Sequence, residues 1–386
     1  MSGPEEELRA LADSGLRRSV RTISAANPPR VTVDGHDYLN FSSNDYLGLS
    51  RHPALVEAAQ RALTDWGTGA TASRLICGTL APHRALEERI AALKGTEAAL
   101  AFATGYATAS GVITSVAGPG DTVIVDKLSH ASLIDAARQC GATLRVFPHN
   151  NLEKLTRLLK GASPTHRTLV VTESVFSMDG DTCPLAEIVE LKDKHGALLL
   201  LDEAHAVGVL GPTGQGLAEE RGLAGRVDFQ MGTLGKAVGA AGGYVATSRA
   251  WADLILNKAR SFIYSTAPPP SQAAAAEAGL ALIASPDGAA LRGTLQENTR
   301  LLREISGAGE ASSGPLTPIV PLIIGENEPT LAAAEKLRDA GFLVPAIRYP
   351  TVPRQTARLR LTVSAAHRPE HLEALAGALS SALRVE

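Results

Sequence analysis

Residues 197–202 read ALLLLD, a run of five apolar residues that ends on a carboxylate. A short apolar run without polar alternation is typical of a strand that is buried on both faces of a parallel sheet. Similar runs flank it along the chain: AALAF (98–102), DTVIVD (121–126), TLVVTE (168–173), VDFQMG (227–232) and GGYVAT (242–247). Helical patterns alternate with these runs from about residue 54 to 250, which predicts an α/β fold with βαβ units around a mostly parallel sheet.

The pattern changes after APPP at 267–270. A long amphipathic stretch, the run PIVPLIIG at 318–325, a further helix, ARLRLTVS and a last helix follow, which predicts a smaller C-terminal α+β domain. We therefore divide the chain into an N-terminal arm (1–46), a large domain (47–280) and a small domain (281–386).

Composition restricts the function. The chain has 386 residues, of which 45% are hydrophobic, and its net charge is -3 without a basic block, which argues against nucleic acid as a partner. The first 21 residues are too charged for a signal peptide, and no apolar run approaches the ~20 residues of a membrane span, so we expect a cytoplasmic protein with no membrane contact. Cys77, Cys140 and Cys183 are odd in number and far apart, so we expect neither a disulfide framework nor a metal site.

A lone cation, Lys236, lies in the glycine-rich stretch MGTLGKAVGAAGG at 231–243. A phosphate-binding P-loop would need glycine at position 230 and a hydroxyl at position 237, where this chain has Gln230 and Ala237. The glycine spacing does not fit a dinucleotide-binding fingerprint either. A surface lysine in a loop remains one explanation, and a chemical role for the amine is the other.

Polar or aromatic side chains follow the predicted strands at the points where the strands end. Ligands of open α/β sheets bind beyond the carboxyl ends of the strands, so these side chains should meet at one rim. Each one alone has a structural explanation, such as a helix cap or a turn. Together they favour a site. The strand ends carry Thr104, Gly105 and Tyr106; Ser129 and His130; Ser177; Asp202 and His205; and Thr233 and Lys236.

Pyridoxal phosphate chemistry uses all of these groups. A lysine forms a Schiff base with the cofactor aldehyde, and a carboxylate such as Asp202 stabilises the protonated pyridine nitrogen. The phosphate would lie at a helix N-terminus, and Gly105 and Tyr106 begin such a helix. An imidazole stacked on the ring would be a use for His130.

Five segments carry a family resemblance: FSSNDYLGLS (41–50), DKLSHASL (126–133), TESVFSMDGD (172–181), DEAHAVGVLGPTGQG (202–216) and GTLGKAVG (232–239). With these segments the chain resembles the α-oxoamine synthase family, over about residues 38–367. Members are fold-type-I pyridoxal phosphate enzymes that join an amino acid to an acyl thioester with loss of carbon dioxide. They are homodimers whose active sites use both subunits.

The resemblance implies a role for each matched residue. Lys236 would carry the Schiff base, Asp202 would pair with the pyridine nitrogen and His130 would stack on the ring. The other implied cofactor contacts are Ser177 and His205 at the phenolic oxygen, Gly105, Tyr106 and Thr233 around the phosphate and ring, and Thr266 reaching the partner's phosphate. Arg360, helped by Asn44, would bind the amino-acid carboxylate, for which a planar guanidinium is suited. Arg17 and Arg348 would contact the acyl substrate.

Within the family, AIRYPTVP (346–353) and TARLRLTVSAAH (356–367) resemble the biotin-pathway branch. That branch condenses L-alanine with a pimeloyl thioester, on either CoA or an acyl carrier protein. The segment ASRLICGT (72–79) is closer to enzymes that use glycine and acetyl-CoA, which is the first alternative. The second alternative is a non-catalytic regulatory subunit with the same fold, although a scaffold has no chemical need for Lys236, Asp202 and His130.

Overall fold

A computed structural model describes residues 3–14, 16–307 and 314–383. The ends of the predicted arm and of the predicted small domain, residues 1–2 and 384–386, lie outside the described residues. The N-terminal region contains one helix and three short antiparallel strands: α1 (Pro4–Asp13), β1 (Ile23–Asn27), β2 (Arg30–Val33) and β3 (His36–Asn40).

The large domain is built on a seven-stranded sheet with helices between the strands. Its elements are α2 (Pro53–Trp66), α3 (Ala81–Lys94), β4 (Ala98–Phe102), α4 (Gly105–Val116), β5 (Thr122–Asp126), α5 (Ala131–Gln139), β6 (Thr143–Phe147), α6 (Leu152–Lys160), β7 (Thr168–Glu173), α7 (Leu185–Lys194), β8 (Leu198–Asp202), α8 (Leu217–Glu220), β9 (Phe229–Thr233), β10 (Gly243–Thr247), α9 (Arg249–Lys258), α10 (Arg260–Ile263) and α11 (Pro270–Ile283).

The strand order is β4-β10-β9-β8-β7-β5-β6, and every pairing is parallel except the two that β10 makes with β4 and β9. The prediction of a mostly parallel sheet is therefore confirmed. Successive residues of β8 pack into two different hydrophobic clusters, with Leu199 and Leu201 in one and Leu200 in the other. Because side chains alternate along a strand, the sheet is covered on both faces.

The C-terminal part contains a long helix and a three-stranded sheet, with elements α12 (Pro286–Ser306), β11 (Ile319–Gly325), α13 (Asn327–Asp339), β12 (Phe342–Leu343), β13 (Ala346–Ile347), β14 (Ala357–Thr362) and α14 (Pro369–Ala382). The sheet order is β11-β14-β13, and β12 instead pairs in parallel with β3 of the N-terminal region. The predicted domain boundaries stay predictions. Helix α11 (Pro270–Ile283) continues across the predicted boundary at residue 280. Strand β12 of the predicted small domain pairs with β3 of the predicted arm.

No helix in the described part of the chain is both long and apolar enough to cross a bilayer. Within the same residues, no cluster of three or more histidine, cysteine or acidic side chains is arranged to hold a metal ion.

Candidate active site

The parallel strands of the large sheet direct their carboxyl ends to one rim. β4 also ends there, because it is antiparallel to β10 and β10 is antiparallel to β9. Helix α4 begins at this rim, and its N-cap Thr104 accepts a hydrogen bond from the Ala107 amide at 3.0 Å. The first helical residue, Gly105, lies close to Thr233 across the rim, since a Cβ atom on Gly105 would be 3.8 Å from the Thr233 Cβ.

The glycines around Lys236 allow the backbone to pack closely. Gly239 has φ of +76°, and a Cβ atom there would lie 2.7 Å from the Leu49 carbonyl carbon. A Cβ atom on Gly243 would lie 2.7 Å from the N and Cα atoms of Gly105. Larger residues would push the lysine loop away from the helix α4 terminus, so the glycine-rich sequence places the amine rather than binding phosphate by itself.

Lys236 contacts a histidine and lies among buried carboxylates. Its Nζ atom is 2.8 Å from Nε2 of His205. Burial lowers the pKa of Lys236, while the negative charges of Asp202 and Glu173 oppose that shift. The same burial holds the pKa of His205 well below its usual value, and the Lys236 and Arg360 cations lower it further. The imidazole is therefore neutral at physiological pH.

Asp202 and Glu173 are register neighbours at the ends of β8 and β7. Asp202 is 5% exposed, and its Oδ1 accepts the Ala204 amide at 2.9 Å. Burial raises the pKa of Asp202, and the Lys236 cation opposes the shift. Burial and the charge of Asp202 raise the pKa of Glu173 to about 8. The charge of Asp202 therefore disfavours ionisation of its neighbour Glu173.

His130 caps helix α5 and is hydrogen-bonded through its backbone to Glu173. Its Nδ1 atom accepts the Ser132 amide at 3.2 Å and lies 2.8 Å from the Ser132 hydroxyl, and its own amide donates to Glu173 Oε1. His130 as a whole is an exposed residue. Partial burial lowers the pKa of His130, and the charges of Asp202 and Lys236 act on it in opposite directions.

Arg360 lies on β14 of the small sheet and contacts residues at the same rim. It is 5% exposed on β14, and its Nε atom donates to the Ser177 carbonyl at 2.5 Å. Its Nη2 atom donates to Asn44 Oδ1 at 3.3 Å. Within the described residues, the hydrogen bonds of the Arg360 side chain go to a carbonyl and an amide oxygen rather than to a carboxylate.

Other predicted residues lie farther out. The Tyr106 hydroxyl donates to Asp135 on α5 at 2.9 Å. Thr266 is exposed and forms an isolated β-bridge with Ser73. Arg17 and Arg348 line a separate cleft of about 700 Å³ between α1 and the segment that follows β13.

Two residues of the site, Glu173 and Tyr46, were not predicted from the sequence. Glu173 is the last residue of the run TLVVTE, so its place beside Asp202 follows once the two strands are known to be neighbours. Tyr46 lies in the segment FSSNDYLGLS, and its hydroxyl is 2.7 Å from His205 Nδ1 and 3.1 Å from Asn44 Oδ1. The spacing of 159 residues between Tyr46 and His205 gives no local signal of this contact.

Comparisons with known proteins identify the family of the chain. Residues 36–379 match the family model for aminotransferase class I and II. The chain is 47% identical over 375 residues to 8-amino-7-oxononanoate synthase from Geobacter sulfurreducens, covering 97% of this chain and 96% of the relative. It is 48% identical over 379 residues to the enzyme of the same name from Geobacter metallireducens, covering 98% and 97%.

Two solved structures are similar over most of their length. Serine palmitoyltransferase from S. paucimobilis, solved with PLP and myriocin bound, has a TM-score of 0.92 at 32% identity and covers 97% of this chain and 95% of its own. 8-Amino-7-oxononanoate synthase from Francisella tularensis has a TM-score of 0.76 at 26% identity and covers 89% and 97%. The predicted fold class and the resemblance to α-oxoamine synthases are confirmed. The chain belongs to the aminotransferase class I and II family, among its 8-amino-7-oxononanoate synthase relatives.

Proposed function

We propose that this chain condenses L-alanine with a pimeloyl thioester to give 8-amino-7-oxononanoate, carbon dioxide and free thiol, a step of biotin biosynthesis. The observation that carries the proposal is the Lys236 amine, 2.8 Å from a neutral His205 and beside the buried Asp202. A lysine whose pKa is lowered by burial is available both as a nucleophile and as a base.

The residues at the rim fit pyridoxal phosphate. The N-terminus of helix α4 offers free amide groups to a phosphate at Gly105. The Ser129 hydroxyl is buried without a partner among the described residues, so it has a hydrogen bond to give. A carboxylate, a neutral imidazole and a reactive amine complete the set of groups that such a cofactor needs.

When bound, pyridoxal phosphate supplies an aldehyde carbon and a pyridinium ring that withdraws electrons from the amino-acid α-carbon. Asp202 would hold the ring nitrogen protonated, and His205 and Ser177 would lie at the phenolic oxygen. His130 would cover the ring face, while Gly105, Tyr106 and Thr233 would lie near the phosphate. The Lys236 amine would remove the α-proton, and the negative charges beside it favour its return to the ammonium form.

Arg360 and Asn44 would bind the carboxylate of alanine. The guanidinium is fixed by the Ser177 carbonyl and by Asn44, which leaves the remaining N–H groups for a substrate. Holding that carboxylate fixes the orientation of the α-carbon relative to the Lys236 amine.

The cleft of Arg17 and Arg348 would receive the end of the acyl chain. A pimeloyl group ends in a second carboxylate, which needs a cation or an exit to solvent, whereas an acetyl group needs neither. β13 connects this cleft to the site, because Ile347 pairs with Arg358 two residues before Arg360. We therefore favour the longer, acidic acyl substrate.

A homodimer would bury an exposed apolar surface, which we call the 75/264 surface. It contains Leu75, Ile76 and Tyr264, which are 46%, 80% and 71% exposed. Thr266 lies beside it through the bridge to Ser73. Clustered exposed apolar side chains are typical of protein interfaces. This placement is consistent with Thr266 reaching the phosphate of the partner subunit.

The experiment measures free thiol released by the purified, cofactor-loaded protein. Pimeloyl-CoA with L-alanine should react far faster than acetyl-CoA with glycine, and Lys236→Ala should release no thiol in either case. Faster reaction of acetyl-CoA and glycine would move the chain to the alternative activity. Absence of thiol release from every thioester, together with an unchanged spectrum on adding amino acid, would favour the regulatory subunit.

The acyl site has its own test. Arg348→Ala should raise the KM for pimeloyl-CoA and leave the exchange of the alanine α-proton with solvent unchanged. Loss of both activities would instead mean that Arg348 supports the fold of β13.

A further inference from the structure

Five side chains form a continuous hydrogen-bonded chain from the small sheet to the reactive amine. Arg360 donates to Asn44, which lies 3.1 Å from the Tyr46 hydroxyl. That hydroxyl is 2.7 Å from Nδ1 of His205, whose Nε2 is 2.8 Å from Lys236. The chain joins the proposed binding group for the substrate carboxylate to the proposed base.

Tyr46 is the branch point of this chain. It is fully buried, and burial raises its pKa to about 12 despite the nearby Arg360 cation, so its hydroxyl keeps its single proton. Two acceptors lie within reach of that proton, the Asn44 side-chain oxygen and the His205 Nδ1 atom. A hydroxyl can donate to only one of them at a time and must accept from, or lie beside, the other.

The charge of Lys236 decides which way the hydrogen bonds run. A charged ammonium only donates, so Nε2 of His205 must accept and its proton must be on Nδ1. Nδ1 then donates to Tyr46, and Tyr46 donates to Asn44. A neutral amine can accept from an Nε2 proton, in which case Tyr46 donates to Nδ1 and Asn44 interacts with Arg360 alone.

We propose that Tyr46 is a positioning residue whose hydroxyl reverses its direction with the charge of Lys236, so that His205 stays neutral and hydrogen-bonded at both ring nitrogens. The imidazole can then face an ammonium, an amine or an anionic oxygen without leaving a buried polar atom unpaired, which would be costly. The inference rests on the proposed function, because that function requires Lys236 to transfer a proton and therefore to change its charge. The test of this inference needs neither cofactor nor turnover. The inference and the proposed function can therefore fail separately.

Other charges also act on these two groups. Asp202, Glu173 and Arg360 act on Lys236, and Lys236, Arg360 and His130 act on His205. The tautomer of His205 is distinct from these electrostatic effects, because it reports where one proton lies on the ring.

The first experiment uses the cofactor-free full chain with ¹⁵N-labelled histidine. Nitrogen NMR shifts distinguish the two tautomers, and His205→Gln identifies the His205 signals. The ionisation of Lys236 is followed in parallel by its rate of acetylation as a function of pH, read by mass spectrometry. We expect the His205 proton to move from Nδ1 to Nε2 over the pH range in which Lys236 loses its charge. A tautomer that stays constant through this range overturns the proposal, and the change itself is followed in the wild-type protein.

The second experiment removes one oxygen atom. In Tyr46→Phe, Nδ1 of His205 has no partner, so the ring keeps its proton on Nε2 and no longer accepts from the Lys236 ammonium. We expect the Nε2 tautomer at every pH and a further fall of about one unit in the pKa of Lys236.

Tyr244→Phe is the matched control. Tyr244 is also fully buried, and its hydroxyl has no hydrogen-bond partner within the described residues. This variant should keep the wild-type tautomer change and the wild-type pKa of Lys236. Wild-type behaviour in Tyr46→Phe, or the same change in Tyr244→Phe, overturns the role assigned to the Tyr46 hydroxyl.

Discussion

Burial sets the charge of the individual residues at the rim. It raises the pKa of Asp202 and Glu173 and lowers the pKa of Lys236 and His205. The two carboxyl groups and the lysine amine therefore differ less in proton affinity than the same side chains do in water, which favours proton transfer among them. The ionised form of the buried Asp202 is stabilised by the Lys236 cation rather than by solvent.

Replacing Asp202 tests the electron-withdrawing role of the cofactor ring. Asp202→Asn keeps the size of the side chain and its acceptor for the Ala204 amide, so the fold should be preserved. Without the negative charge, exchange of the alanine α-proton should slow by about 100-fold or more, each ~1.4 kcal/mol of lost stabilisation being tenfold. The measurement is loss of the α-proton signal in deuterated buffer. A rate equal to that of the wild type would limit Asp202 to fixing the turn that follows β8.

His149 should make the stability of the protein depend on pH. Its ring lies between two carboxylates, with Nδ1 3.1 Å from Asp126 Oδ1 and Nε2 2.7 Å from Asp181 Oδ2. Burial alone would lower the pKa of His149, but the bonds to Asp126 and Asp181 outweigh it and raise the pKa from 6.5 to about 10. The folded state therefore binds this proton more tightly than the unfolded state, and the resulting stability is lost as pH rises from 6.5 to 10.

We expect the difference in thermal unfolding midpoint between wild type and His149→Gln to be largest near pH 6 and to shrink steadily towards pH 10. His36→Gln, which changes an exposed histidine, should show no such trend. A difference that is constant with pH would mean that His149 is neutral in the folded protein.

At the scale of secondary structure elements, a buried ion pair connects α3 to the segment that carries Asp202 and His205. Lys94 is the last residue of α3, and its Nζ is 2.5 Å from Glu203 Oε2, with both side chains fully buried. Glu203 Oε1 accepts the Ala218 amide at 2.9 Å. The pair fixes the backbone immediately after Asp202, so a structural interaction supports a functional residue.

Lys94→Met should destabilise the protein by roughly 3–5 kcal/mol, because it leaves the Glu203 charge buried and unpaired. The midpoint of urea unfolding measures the change. Adding Glu203→Gln to this variant removes the charge and keeps an acceptor for Ala218, so the double variant should recover most of the loss. An equally unstable double variant would assign the effect to packing of the lysine stem.

Sequence patterns identify the elements whose structure depends on local burial. The runs at 98–102 through 242–247 all form strands of the central sheet, because each is apolar enough to be covered on both faces. The strands β12 and β13 have two residues each, too few to show a period. The pairing of β3 with β12 joins distant parts of the chain and has no local signature.

The same distinction applies to the site. Asp202, His205 and Lys236 follow strands that are neighbours in one parallel sheet, so their proximity was predictable. Tyr46 reaches His205 from a segment without regular structure, and only tertiary packing places it there. Contacts between sheet ends can be inferred from a sequence, whereas contacts from irregular segments depend on the completed fold.

At the scale of the whole molecule, the site lies where Arg360 of the small sheet meets the rim of the large sheet, and the 75/264 surface is the proposed dimer interface. Ile76→Asp places a charge at the most exposed apolar residue of that surface. We expect the proposed dimer to dissociate at micromolar concentration in analytical ultracentrifugation and thiol release to fall with it. Ile323→Asp changes another exposed apolar residue, 64% exposed on β11, and should leave both unchanged. A monomeric wild-type protein would contradict the dimer.

The pairing of β3 with β12 has a consequence for protein synthesis. Leu39 pairs with Phe342, about 300 residues later in the chain. At ~5–20 residues per second, a ribosome would take roughly 15–60 s to produce the partner after the first strand has emerged. During that time β3 is an open edge that could pair with other nascent chains. The exposed charged or polar residues of β3, His36 and Asp37, are of the kind that discourages such pairing.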